Sequence, residues 1–152
     1  MRSIALAACL LVFTACDFVP VPLPTASATL QSTQLDLPRG SYCWSSGGKA
    51  VCADAAGPDM LLETGYLKPY RTSGGFDVSI AFQSKSELRN FHIELVKSPT
   101  GNAPVTTTGS RSFFLPAAPS VRSGIYVYMI VSIWPQGDVS FLLPIDLVSG
   151  AA

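Results

Sequence analysis

The chain has 152 residues, a formal net charge of +0 and only 13% charged side chains. That length suits a single domain. The even charge balance, without a basic run, excludes the electrostatic footprint of a nucleic-acid binder, so no nucleic-acid partner is expected.

The first residues form a leader. Met1 and Arg2 give a short basic start, and Ile4 to Ala15 is an apolar stretch. It has the length of a signal-peptide core and falls short of the roughly 20 apolar residues a membrane-spanning helix needs. The segment Phe13-Thr14-Ala15-Cys16 resembles the lipobox of bacterial lipoproteins. The resemblance covers about a tenth of the chain, and Phe13 stands where that family prefers leucine or a smaller aliphatic residue. It implies a signal peptide over 1–15, cleavage before Cys16 and lipidation of the Cys16 thiol. The resulting expectation is a membrane-anchored lipoprotein on the extracytoplasmic side of the bacterial cell envelope. Two or more acyl chains anchor a protein stably, at about 0.8 kcal/mol per buried methylene. The competing reading is ordinary secretion. Ala26-Ser27-Ala28 has the small-x-small form of such a cleavage site, but it lies far beyond the apolar core, behind Pro20, Pro22 and Pro24.

Residues 16–37 read as a lipid-anchored flexible tether. Alternating prolines are followed by Ser, Thr and Ala without evident periodicity, and such a segment would reach on the order of 60 Å at about 3.1 Å per residue. The folded domain is expected over 38–149. Of the 4 cysteines, Cys9 leaves with the leader and Cys16 takes lipid. Cys43 and Cys52 remain, and in an exported chain they are expected to pair. A loop this short contributes roughly 2.5–3 kcal/mol in the chain-entropy account. A metal site is the weaker alternative, because His92 is the only histidine and there is no CxxC; no metal and no cofactor are expected.

Ser46-Gly47-Gly48 between Tyr42-Cys43-Trp44-Ser45 and Lys49-Ala50-Val51-Cys52 predicts a tight hairpin with the disulfide stapling its arms. Pro58 to Glu63 predicts one short helical turn that stops at Gly65, and Lys68 to Thr72 a short edge strand. Alternation of apolar and polar residues predicts half-buried strands over 76–82 and 91–95. A short strand follows at 111–115, then two long ones at 124–134 and 139–148. The expected class is all-β, a sandwich with at most one helical turn. Gly124-Ile125-Tyr126-Val127-Tyr128, Trp134 and the strand from Val139 resemble the last hairpin of immunoglobulin-like and fibronectin-like domains. That resemblance implies an immunoglobulin-like β-sandwich and no function. Tyr42-Cys43-Trp44, Cys52-Ala53-Asp54 and Gly57-Pro58 are similar to uncharacterised lipoproteins of bacilli and their relatives, which implies the envelope location and no particular activity.

Motifs for catalysis are absent: no GxSxG, no phosphate-binding glycine loop, no HExxH. The most concrete function reading is a non-catalytic binding or interaction module, with an envelope protein or a glycan as partner. Two alternatives stand beside it. One is a small envelope hydrolase using His92 and Glu94, which share a strand face. The other is a protease inhibitor presenting the 45–49 loop. The strand 124–134 is apolar on both faces, so its Tyr126, Tyr128 and Trp134 side either is covered internally, by the stapled hairpin with Leu61, Leu62 and Tyr66, or forms a binding surface with Tyr42 and Trp44. Internal cover is the expectation for Tyr128. Trp44, beside the glycine-rich tip, is the first choice for an exposed aromatic.

Overall fold

A computed structural model of the protein describes residues 20–101, 107–108, 110–117 and 121–149. The leader, residues 1–15, and Cys16 lie outside the described residues. Period-two alternation shapes the strands. In β6 (Phe76–Gln83), Val78 and Ile80 are buried while Asp77 and Ser79 are exposed. In β7 (Asn90–Lys97), Phe91 and Ile93 point into the core and His92 and Glu94 point away from it. The strands β10 (Gly124–Trp134) and β11 (Gly137–Leu147) pair along their whole length, from Gly124 opposite Leu147 to Trp134 opposite Gly137.

These strands belong to two sheets. One has the order β2-β1-β6-β9, with β1 at Thr25–Leu30, β2 at Thr33–Asp36 and β9 at Ser112–Leu115. The other runs β4-β3-β11-β10-β7-β8, with β3 at Arg39–Ser46, β4 at Lys49–Ala53 and β8 at Thr107–Thr108. The short β5 (Tyr70–Thr72) lies parallel to the end of β11. The protein is therefore all-β, a two-sheet sandwich with a single short helix, α1 (Pro58–Glu63), among the described residues. Pro58 opens that helix and Gly65, at φ 73°, follows its end. The Cys43–Cys52 disulfide joins residues directly opposite each other in β3 and β4, with Cα atoms 4.1 Å apart. Gly47 and Gly48 turn the hairpin at φ 60° and 74°, the left-handed region where glycine carries no Cβ penalty.

The expected tether over 16–37 is corrected for its described part. Residues 25–36 form the β1–β2 hairpin. Ala26, Ala28 and Leu30 of β1 are buried, and β1 pairs with β6 along all of its six residues. Small alanines alternate with Thr and Ser here, so the inward phase is carried by side chains with little apolar mass. The preceding residues dock as well. Val21 and Leu23 pack against the core, and the Trp44 indole Nε1 donates to the Val21 carbonyl at 2.9 Å. The domain thus begins well before Pro38.

Both faces of β10 are covered, but by different parts than expected. Tyr126, Tyr128, Ile130, Ser132 and Trp134 face the inter-sheet core. The opposite face is the one that Leu61 and Leu62 cover: with Leu67 they pack on Val127, Leu142, Ile125 and Met129. Tyr66 stays 54% exposed and takes no part in either cover. The one polar residue inside the β10 core face, Ser132, is satisfied. Its hydroxyl donates to the Val139 carbonyl at 2.7 Å and accepts from Trp134 Nε1 at 3.1 Å.

Candidate functional site

The five aromatic residues singled out in the sequence do not form one exposed surface. Trp44 is 6% exposed, which corrects its reading as an exposed aromatic. The strand phase of β3 explains this: Tyr42 and Trp44 share the inward face, while Cys43 points outward with Cys52. Tyr42 is half-buried beneath the Arg39 guanidinium, 5.8 Å from its ring centre. Trp134 is a core residue in edge-to-face contact with Phe82, at 6.0 Å between ring centres. Tyr126 and Tyr128, however, meet at a cavity.

That cavity lies where β9, the edge strand of one sheet, faces β7 and β10 of the other. Its volume is about 400 Å³. Ile93 and Leu95 line it from β7, Tyr126 and Tyr128 from β10, and Phe113 and Phe114 from β9, with Pro116 and Val121 also on its wall. Phe114, 61% exposed, stands at the rim. The sheet register sets this up. Phe113 pairs with Val78, which is fully buried, so its ring also turns inward and comes within 4.8 Å of the Tyr128 ring. The edge strand β9 has only four residues, so it covers β7 and β10 incompletely and a space remains.

The polar equipment of the cavity is small and specific. Among the described residues no charged side chain lines it. The Tyr126 hydroxyl donates to the Arg122 carbonyl at 2.6 Å. The Tyr128 side chain is 8% exposed, and no described residue gives its hydroxyl a hydrogen bond. Burial pushes the Tyr128 phenol up to about 12, with the neighbouring Tyr126 adding to the rise. Burial also raises Tyr126, against a lowering by Arg122. Both phenols are therefore neutral, and Tyr128 retains a free donor and free acceptor lone pairs. The Tyr128 hydroxyl is not sealed off from solvent, so it is open to the cavity and available to a ligand there.

Other candidates are less built. A wider cleft of about 500 Å³ lies among Leu35, Leu37, Tyr66, Lys68 and Tyr70. Its Tyr66 hydroxyl already donates to the Arg39 carbonyl at 3.2 Å, and Asp36 and Lys68 sit on its wall. His92 Nε2 and Glu94 Oε1 do come together, 2.9 Å apart on the outer face of β7. They sit opposite Val131 and Met129 of β10, on a surface and not in a cleft. The described residues contain no group of three His, Cys, Asp or Glu placed to hold a metal ion. The Ser45–Lys49 tip is largely exposed, but the Ser46 hydroxyl accepts a hydrogen bond from the Val21 amide, which ties one side of it to the N-terminal segment.

Sequence reasoning located Tyr126 and Tyr128 and missed the rest of the cavity. The available signal was the Phe113-Phe114 pair, two large aromatics in a short strand where at most one can face the core. No protein-family model matches this chain, and neither a curated protein nor a solved structure does.

Proposed function

We propose that this protein is a lipid-anchored, non-catalytic binding module of the bacterial cell envelope, tethered through Cys16 and taking its ligand between the two sheets at the Tyr126–Tyr128 cavity. The observation that carries the binding role is the cavity itself: preformed, apolar, of small-molecule size, and holding one convergent polar group without a partner. The lipobox-like Phe13-Thr14-Ala15-Cys16 supports the anchor. No described helix is long and apolar enough to cross a membrane.

Two measurements test the two halves of this reading. In cell fractionation the wild-type chain is expected with membranes, and Cys16→Ser in the soluble extracytoplasmic fraction; membrane retention of the serine variant overturns the anchor. For binding, the neutral dye N-phenyl-1-naphthylamine should brighten with the released protein. No rise in its emission at saturating protein overturns the binding role.

A further inference from the structure

The kind of ligand follows from what the cavity wall offers and lacks. A charged group brought into an apolar space without a counter-charge is strongly disfavoured, and none of the described lining side chains of this cavity is ionised at neutral pH. The wall is aliphatic on β7, through Ile93 and Leu95, and aromatic on β9 and β10. Against this stands one hydroxyl, on Tyr128, with both a donor and an acceptor function unused. The Tyr126 hydroxyl has committed its proton to Arg122, so it offers an acceptor only.

We propose that the cavity binds a neutral, mostly apolar small molecule that carries one hydrogen-bonding group, with that group on the Tyr128 hydroxyl and its hydrocarbon part against Ile93, Leu95 and Phe113. The inference rests on the binding role proposed above and adds to it the ligand class. A carboxylate of the same carbon skeleton is disfavoured by desolvation, because no described lining side chain is cationic; Arg122, whose charge reaches the Tyr126 phenol, is exposed and outside the lining. A fully saturated hydrocarbon loses to the alcohol because it leaves the Tyr128 hydroxyl unpaired.

The experiment uses the full-length chain carrying Cys16→Ser, which removes the acyl chains that would compete for the dye. N-phenyl-1-naphthylamine is bound first, then displaced with 1-octanol or with octanoate at neutral pH. The alcohol should displace the dye at a concentration at least about tenfold lower than the carboxylate does, given the cost of burying an unpaired charge. Leu95→Trp, which fills the cavity from a half-buried position, should abolish dye binding while the chain keeps its near-ultraviolet circular dichroism. Tyr128→Phe should retain the dye and weaken 1-octanol about fivefold, the loss expected for one net hydrogen bond. Octanoate competing as well as octanol overturns the ligand class while leaving the binding role intact. An unchanged octanol affinity in Tyr128→Phe overturns the assigned contact. Dye bound equally by a folded Leu95→Trp variant overturns the cavity as the site.

Discussion

The Trp44 indole donates its single hydrogen bond to the Val21 carbonyl, 2.9 Å away and 23 residues earlier in the chain. The Val21 amide in turn donates to the Ser46 hydroxyl two residues beyond Trp44. One residue of the N-terminal segment is thus held through both of its backbone polar groups, and the segment closes over a buried tryptophan.

Trp44 should therefore behave as a core residue. Trp44→Ala is expected to cost roughly 3–5 kcal/mol, as large buried aromatics do. Trp44→His or Trp44→Phe retains part of the ring volume; the phenylalanine variant also loses the bond to Val21, adding about 1 kcal/mol to the packing loss. Urea unfolding at matched m-values measures both. A Trp44→Ala variant within about 0.5 kcal/mol of wild type, the usual range for surface sites, would contradict the burial.

The same contact would set how far the domain stands from a lipid on Cys16. If Cys16 carries lipid, only four residues lie between it and Val21, a span of about 18 Å at full extension. That is far shorter than the spacer expected from composition alone. Energy transfer from a dye placed at Ser45 to an acceptor in the bilayer headgroups should report this closeness. Inserting a long Gly-Ser segment between Cys16 and Pro20 should reduce the transfer. Equal transfer with and without the insert would show that the N-terminal segment does not hold the domain near the membrane.

The disulfide should matter for stability more than for topology. Replacing both Cys43 and Cys52 by serine is expected to cost roughly 2–3 kcal/mol through the released loop. The fold should persist, because β3 remains hydrogen-bonded to β11 through Tyr42, Cys43 and Trp44 and pinned by the Trp44–Val21 bond. In the wild-type protein neither thiol should react with a labelling reagent before reduction. Labelling of both without reductant would refute the bridge.

Gly137 is the position where the two long strands meet the stapled hairpin. Its φ is 145°, and a Cβ added there would fall 1.9 Å from the Cys43 carbonyl oxygen. That oxygen is backbone, fixed in the β3–β11 pairing, so it has no flexible end to swing away. Gly137→Ala must push β3 off β11, and a loss of more than about 3 kcal/mol is expected, the range of backbone strain combined with a steric clash. Thermal unfolding of the variant, compared with Gly48→Ala, separates clash from conformation. Gly48 has φ 74° with nothing near its Cβ position, so its alanine variant bears conformational strain alone.

Strand phase made much of this architecture readable. In β6, β7 and β10 the alternation is carried by Phe, Ile, Val and Tyr, whose mass makes the buried side obvious. Pro58, Gly65 and Gly47-Gly48 marked the helix and the turn for local steric reasons. The β1 strand went unread because its inward residues are Ala26 and Ala28, whose apolar signal is faint beside three prolines. Trp44 was misplaced because closeness to a glycine-rich tip outweighed the phase it shares with Tyr42. The cavity was not readable in any segment. It arises from the short β9 lying over β7 and β10, a relation between strands distant in the chain that only sheet pairing brings about.

Tyr128 ties stability to alkaline pH. Its phenol is pushed up to about 12 in the folded protein, first by burial and then by Tyr126, against an ordinary value of 10.0. A group whose folded pKa is raised binds its proton more tightly in the native state, so unfolding releases protons and stability falls as pH rises. The contribution is fully present below about pH 10 and is lost between about pH 10 and 12. Tyr128→Phe removes the ionisable group while keeping the ring against Phe113. Because the hydroxyl has no partner among the described residues, this change should leave stability at neutral pH within about 0.5 kcal/mol of wild type. Tyr126→Phe gives up the bond to the Arg122 carbonyl and should cost about 1 kcal/mol. Urea midpoints followed from neutral pH upward should then show a steeper alkaline decline for wild type than for Tyr128→Phe. Parallel declines in the two proteins would mean that burial does not hold the Tyr128 phenol above its ordinary range.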